Sequence, residues 1–242
     1  KAFQNIFNYP YYYPTAKGSF EARQAISQYY KKFGQEVNPE KILLTSGLNQ
    51  SYLYLLKLFG SVSSSTSTRE SSSNQILIAR PHTPALEEVA GFLNQKIKYF
   101  DLDPDNNWQI DFNSLKKSLT SKTRAVFLSS PHLPTGAIQN ADTLTTLFEI
   151  IKGKNITVII DESLSDFIFD KKEFPISESL VNSNQVLITL HTLSNGFALP
   201  GLKLSWITLY GPDAATNQLY QSLEYLSDTF LNLNQLSQTV LP

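Results

Sequence analysis

The sequence predicts an α/β fold, a three-layer α/β/α sandwich built on a mostly parallel sheet. Three observations carry that expectation. Short runs such as Ile42 to Thr45, Ala125 to Leu128 and Ile156 to Ile160 are apolar at successive positions, as strands buried on both faces are. Segments with a 3.6-residue apolar period separate these runs. Clusters of small and polar residues follow the runs, at the strand ends where such sheets hold ligands.

In chain order, an aromatic, Pro-punctuated stretch containing Tyr11, Tyr12 and Tyr13 leads through Gly18 into a helix. Its apolar positions are Phe20, Ala25, Ile26, Tyr29, Tyr30 and Phe33, and Gly34 ends it. Packing is the expectation for at least two of the three tyrosines. The strand Ile42 to Thr45 runs into Ser46-Gly47-Leu48-Asn49-Gln50 and a helix from Ser51 to Phe59. A strand, a small-residue turn and a helix aim free backbone N–H groups at an anion. Ser61 to Asn74 is rich in Ser and Thr and reads as a surface loop, because the alternating pattern resumes after it.

The next strands are Gln75 to Ala79 and Ile97 to Leu102, with a helix from Ala85 to Leu93 between them. A turn over 103–107 and a short helix from Phe112 to Leu119 lead to the strand Ala125 to Leu128. Thr143 to Lys152 reads as a helix, and Ile156 to Ile160 as a strand closed by Asp161 and Glu162. Val186 to Leu190 and Leu202 to Leu209 are the last strands, and Asn217 to Leu233 the closing helix. Five clusters are expected around one cleft: Ser46 to Gln50, Pro81 to Pro84, Ser129 to Gly136, Asp161, and Thr192 to Asn195.

Composition narrows the function classes. The 242 residues are 41% hydrophobic and 17% charged, which suits a globular chain long enough for a sizeable core. A net charge of -1 offers no electrostatic basis for binding nucleic acid or an anionic membrane, and no apolar run approaches a membrane span. No secretory signal is visible, so a cytoplasmic location is expected, although the sequence begins at Lys1 without a Met. With no Cys there are no disulfides or thiolate metal sites. His82, His132 and His191 are too scattered for a zinc motif, so no metal is expected.

These segments together resemble the class I/II aminotransferases, fold type I enzymes that use pyridoxal phosphate. YPTAKGSFEARQAISQYY is similar to that family's aromatic segment and first core helix. LLTSGLNQ resembles its phosphate-cradling turn, SSPHLPTG its Asn-Pro-x-Asn-Pro-Thr-Gly loop, and IIDESLSDF its Asp-Glu-x-Tyr strand end. TLSNGFALPGLKLSW is similar to Ser-x-Ser-Lys-x-Phe-x-Leu-Pro-Gly-x-Arg-x-Gly-Trp. The resemblance runs from about Tyr13 to the end and implies one large domain over 1–242. The smaller C-terminal domain of the family, with its Arg for the substrate carboxylate, is not in this sequence.

The resemblance also assigns positions. Asp161 falls on the acidic partner of the pyridine nitrogen, a carboxylate that lets the ring act as an electron sink. Thr192, Ser194, Gly47, Leu48 and Asn49 fall on the phosphate's surroundings. Tyr13 falls on a tyrosine that reaches the phosphate of the neighbouring subunit, which implies a homodimer. Five positions depart from the pattern. Asn195 stands at the Schiff-base lysine, and an amide forms no imine and serves as no general base. Leu133 and Leu164 replace an Asn and a Tyr that bond the ring hydroxyl. Thr83 stands where an aromatic ring stacks on the cofactor. Lys203 replaces an Arg and loses its bidentate fork. A single change at the lysine would suit a trap for an intermediate, but losses at Leu133, Leu164 and Thr83 as well do not. The expectation is a degenerate member without transamination, serving as a binding or structural domain. It would hold pyridoxal phosphate, an amino acid or a phosphate-bearing ligand without a covalent bond, if at all. The other reading is a working aminotransferase for an amino acid and a 2-oxo acid, with the lysine's role supplied otherwise.

Overall fold

A computed structural model of the chain describes residues 15–60, 74–170 and 184–242. Tyr11, Tyr12 and Tyr13, and nearly all of the Ser-rich segment Ser61 to Asn74, lie outside these residues.

The elements follow the sequence pattern closely. They are α1 (Phe20–Lys31), β1 (Ile42–Thr45), α2 (Leu48–Phe59), β2 (Gln75–Arg80), α3 (Pro84–Phe92), β3 (Ile97–Asp103), β4 (Gln109–Ile110) and α4 (Phe112–Ser118). After them come β5 (Thr123–Ser129), α5 (Ala141–Ile151), β6 (Thr157–Asp161), β7 (Leu187–Thr192), β8 (Ser205–Tyr210), α6 (Asp213–Phe230) and a short α7 (Gln235–Gln238). Three differences matter. α2 begins at Leu48 rather than Ser51, because Gly47 is itself the N-cap. A two-residue strand, β4, pairs antiparallel with β3 and is too short to show a period in sequence. Leu202 belongs to a short 3₁₀ turn, so β8 starts only at Ser205.

The eight strands form one sheet in the order β1-β8-β7-β6-β5-β2-β3-β4. β3, β2, β5, β6 and β7 run parallel to their neighbours, while β8, β1 and β4 pair antiparallel. Both faces are covered, and alternate residues of one strand serve different cores. Val126 and Leu128 of β5 pack with α1 and α5 through Ile26, Tyr30, Leu147 and Ile151. Ala125 and Phe127 pack with α2, α3 and α6 through Leu55, Leu86, Ala90 and Leu223. This is why the strands read as continuous apolar runs. The chain leaves β2 toward β3 but continues from β5 toward β6 on the other side. The carboxyl ends of β2 and β5 therefore border a crevice where open α/β sheets bind ligands. Among the described residues no helix is long and apolar enough to cross a membrane.

Side chains set the helix starts. Ser19 Oγ accepts from the Ala22 N–H at 3.2 Å at the head of α1, and Asn140 Oδ1 accepts from the Thr143 N–H at 2.8 Å at the head of α5. Before α1 the turn needs glycine. Gly18 has φ +86°, and a Cβ there would stand 2.4–2.8 Å from three atoms of the buried Leu44 side chain, its Cβ among them. Gly18→Ala combines left-handed strain with overpacking, so it should destabilise the chain by about 2–4 kcal/mol. Denaturant unfolding of the two proteins measures that loss.

Candidate functional site

A cavity of about 200 Å³ opens at the carboxyl ends of β2, β5 and β6. Each of the five clusters supplies part of its wall: Leu48 and Asn49; His82 and Thr83; Ser129, Pro131, His132 and Leu133; Asp161; and Asn195. Leu164, Ser163, Tyr52 and Phe127 complete the side nearest Asp161.

Asp161 ends β6, paired with Ser129 of β5 and Leu190 of β7. Its side chain is buried, and both carboxylate oxygens are engaged. Oδ1 accepts from the Ser163 N–H at 2.9 Å, and Oδ2 accepts a short hydrogen bond from the Tyr52 hydroxyl. Tyr52 lies one turn after Leu48 on α2, and its ring meets Phe127 edge-on at 5.6 Å. Burial, reinforced by the Asp161 charge, pushes the Tyr52 hydroxyl well above the usual phenol range, so it stays a donor.

Asn195 stands at the mouth of the cavity. Its Nδ2 reaches the Ser163 carbonyl at 3.4 Å. The loop around it is held by backbone bonds from the Ala198 N–H to the Asn195 carbonyl and from the Leu199 N–H to the Leu193 carbonyl. Ala198 and Lys203 both carry left-handed backbone, φ +52° and +48°. Gly196 lies so close to Asp166 that a Cβ would stand 2.0 Å from Oδ2.

The cavity gathers Leu48, Asn49, Thr83, Leu133, Asp161, Leu164 and Asn195 from the positions assigned by sequence. Gly47, the cap of α2, is not among its lining residues, and neither are Thr192, Ser194 or Lys203. Thr192 is buried, and its hydroxyl turns to the Leu204 carbonyl at 3.2 Å and to Ser194 Oγ at 3.1 Å. Lys203 is exposed. Tyr13 lies outside the described residues.

Sequence reasoning passed over Tyr52 and Ser163, and took His132 only as a member of the Ser129 to Gly136 cluster. Tyr52 had a usable signal, since it follows Leu48 by four residues and so shares its helix face once α2 starts at the glycine. His132 is fixed on both ring nitrogens, Nδ1 to Thr135 Oγ1 and Nε2 to the Pro81 carbonyl, each at 2.7 Å. Burial lowers its pKa, so the ring is a neutral brace between two loops of the wall.

Three comparisons with known proteins now bear on this geometry. The family profile "Aminotransferase class I and II" matches residues 4–238. The chain belongs to that family. The probable aminotransferase TAT1 of Arabidopsis thaliana is 30% identical over 234 residues, 95% of this chain and 49% of that one. The S-alkyl-thiohydroximate lyase SUR1 of the same plant is 28% identical over 233 residues, 95% of this chain and 48% of that one. The chain thus spans about half the length of these relatives. The tyrosine aminotransferase of Leishmania infantum superposes with a TM-score of 0.86 over 99% of this chain and 64% of its own, at 20% identity, a likeness that carries the fold.

Members of the aminotransferase family use pyridoxal phosphate, and the wall of this cavity fits that group poorly. The helix end suits a phosphate, because the first N–H groups of α2 have no intrahelical acceptor and Gly47 offers no side-chain cap. The ring end does not suit the pyridine. Tyr52 already donates to Asp161 Oδ2, Leu133 and Leu164 have no hydrogen bond to give, and among the described residues no Lys or Arg lines the cavity.

Behind β6 lies a second buried cluster. Tyr30 donates a short hydrogen bond to Glu162 Oε1, and Trp206 Nε1 donates to the Tyr30 hydroxyl at 3.0 Å. His191 stacks on Trp206 at 4.6 Å. Its Nδ1 accepts the Thr192 N–H at 2.8 Å, so Nε2 carries the proton. Ser165 Oγ, at 3.0 Å, and Asp166 Oδ2, at 3.3 Å, both face that same nitrogen. A catalytic triad needs them on opposite nitrogens. The cluster therefore anchors the loop after β6 and has no nucleophile arranged for catalysis.

Glu162 is fully buried, and burial raises its pKa from 4.5 to about 7. A carboxyl whose pKa is higher folded than unfolded adds stability at low pH. That contribution fades as pH rises from about 4.5 to about 7 and is gone above. About 3 kcal/mol should be lost across the window. Glu162→Gln should flatten this part of the curve in urea titrations at pH 5, 6, 7 and 8.

Proposed function

We propose that this chain is an aminotransferase-fold binding domain that does not perform transamination. The observation that carries the reading is the cavity wall. Asn195 stands at the mouth and no lysine lines the site among the described residues, so no amine is placed to form an imine with an aldehyde. Any pyridoxal phosphate would bind without a covalent bond, its phosphate toward Leu48 and Asn49. A single large domain over 1–242, a homodimeric state and a cytoplasmic location belong to the same proposal. The alternative, transamination between an amino acid and a 2-oxo acid, draws support from the aminotransferase name of the Arabidopsis relative. The lyase name of another relative at similar identity weakens that inference.

The decisive experiment mixes the protein with pyridoxal phosphate, records the visible spectrum, reduces with borohydride and measures the mass of each peptide. No aldimine band and no adduct on a cavity peptide are expected. An adduct there overturns the proposal.

Support for the homodimer comes from an apolar groove formed by Leu53, Tyr54, Val89, Phe92, Phe230 and Leu231. Phe92 is 79% and Leu231 71% exposed, an apolar patch suited to a partner surface. The protein is expected to sediment at twice its 27.2 kDa chain mass, and Phe92→Glu with Leu231→Glu at 27.2 kDa. A native protein that sediments at the chain mass rules the dimer out.

A further inference from the structure

We propose that Asn195-Gly196 is a site of spontaneous covalent modification, where the Asn195 amide is converted through a cyclic imide to a carboxylate at the mouth of the cavity. This goes beyond the binding-domain reading and does not depend on it.

The sequence supplies the reacting pair. Asn195-Gly196 is the one Asn-Gly pair in the chain. The glycine nitrogen is the nucleophile, and the side-chain carbonyl carbon of asparagine is the electrophile. The nitrogen gives up its proton and attacks Cγ. The new C–N bond closes a five-membered ring, and the Cγ–Nδ2 bond breaks to release ammonia. Water then opens the ring. Attack at Cγ leaves Asp, while attack at the backbone carbonyl carbon leaves isoaspartate, whose main chain runs through Cβ and Cγ. One water enters and one ammonia leaves, with no oxidation or reduction. Glycine favours the ring closure because no Cβ crowds its nitrogen and its backbone turns freely.

The structure leaves that pair open to react. Asn195 is exposed, and the pair lies between β7 and the 3₁₀ turn Pro200–Leu202, outside any helix or strand. Among the described residues the Asn195 side chain has one polar contact, from Nδ2 to the Ser163 carbonyl at 3.4 Å, a length at the limit of a hydrogen bond. The Gly196 N–H donates to no acceptor among those residues, so no bond must break before its nitrogen attacks. Packing also fixes the glycine, since a Cβ at 196 would stand 2.0 Å from Asp166 Oδ2.

Other exposed asparagines lack this combination. Asn38 precedes Pro39, which has no N–H to lose. Asn113 precedes Ser114, whose N–H donates to Asp111 Oδ1 at 3.1 Å at the head of α4. Asn140 is held as the cap of α5, its Oδ1 accepting from the Thr143 N–H at 2.8 Å.

The product changes the mouth of the cavity, which Asn195 lines. It adds one negative charge to a chain whose net charge is -1. The donor to the Ser163 carbonyl is lost, because a carboxylate only accepts. The Asp form keeps the backbone bonds of the loop. The isoaspartyl form inserts one more main-chain carbon beside Gly196, where the fit against Asp166 is already close.

The test incubates the full chain and a synthetic peptide of residues 188–203 side by side at pH 7 and pH 9. Ion exchange follows the acidic species, and fragmentation mass spectrometry locates it and separates Asp from isoaspartate. Asn195 in the folded chain should convert about tenfold or more faster than Asn38, Asn113 or Asn140. Its rate should lie within about tenfold of the peptide's, the margin for opening a loop outside helix and strand. Conversion should be faster at pH 9, because the Gly196 nitrogen reacts after losing its proton. Asn195→Gln should remove the acidic species, since its longer side chain must close a larger ring. An Asn195 that stays an amide in the folded chain while the peptide converts overturns the proposal. So does equal conversion at the other three asparagines, or an acidic species that persists in Asn195→Gln. The comparison of chain with peptide needs no variant to fold.

Discussion

The central sheet is buried on both faces, and the arrangement of the molecule follows from that constraint. Interior residues of β5, β6 and β7 have no route to solvent, so their side chains are almost all apolar or hydrogen-bonded. Polar chemistry is displaced to the strand ends, where the backbone turns away and the helices begin. The reversal of strand order at β2 and β5 sends their connections to opposite sides and leaves a crevice at their carboxyl ends. Asp161 is placed there because β6 lies beside β5, and Tyr52 reaches it because α2 packs over the same ends. The cavity is thus a product of topology first and of residue choice second.

Much of this was legible in the sequence because burial on two faces leaves a strong trace. Continuous apolar runs identified seven of the eight strands, and the small-residue clusters after them identified the wall of the cavity. What escaped was short or dependent on a partner. β4 spans two residues, and it exists only because β3 offers it an edge. The bond between Tyr52 and Asp161 joins residues 109 positions apart, so no local pattern contains it. Thr192 and Ser194 carry the right hydroxyls by resemblance, but the Leu204 carbonyl is nearer to Thr192 than any cavity atom in its bonding, and that depends on how β7 and β8 pair. The buried pairing of Tyr30 with Glu162 has the same character.

The loop between β7 and β8 takes its shape mainly from its backbone. Ala198 and Lys203 hold left-handed conformations that are costly for residues with a Cβ, of order 1–2 kcal/mol each. The loop offsets that strain with its own backbone bonds and with the close approach of Gly196 to Asp166. None of these contacts involves the Asn195 side chain. The Asn195 side chain adds only a long Nδ2 contact to the Ser163 carbonyl at 3.4 Å, so the shape of the loop depends little on it.

On the sequence resemblance, the other departures around the cavity are consistent with one another on physical grounds. Had only the lysine changed, an asparagine and a tyrosine would still point polar groups into a small cavity, each needing a ring hydroxyl to satisfy it. Unsatisfied groups of that kind cost about 1–3 kcal/mol apiece. Leucine at 133 and 164 removes the demand. Asp161 is the exception, because a carboxylate at a buried strand end cannot be left bare, and Tyr52 supplies the donor from within the chain. A wall that needs no pyridine ring to complete its hydrogen bonds has little to gain from binding one.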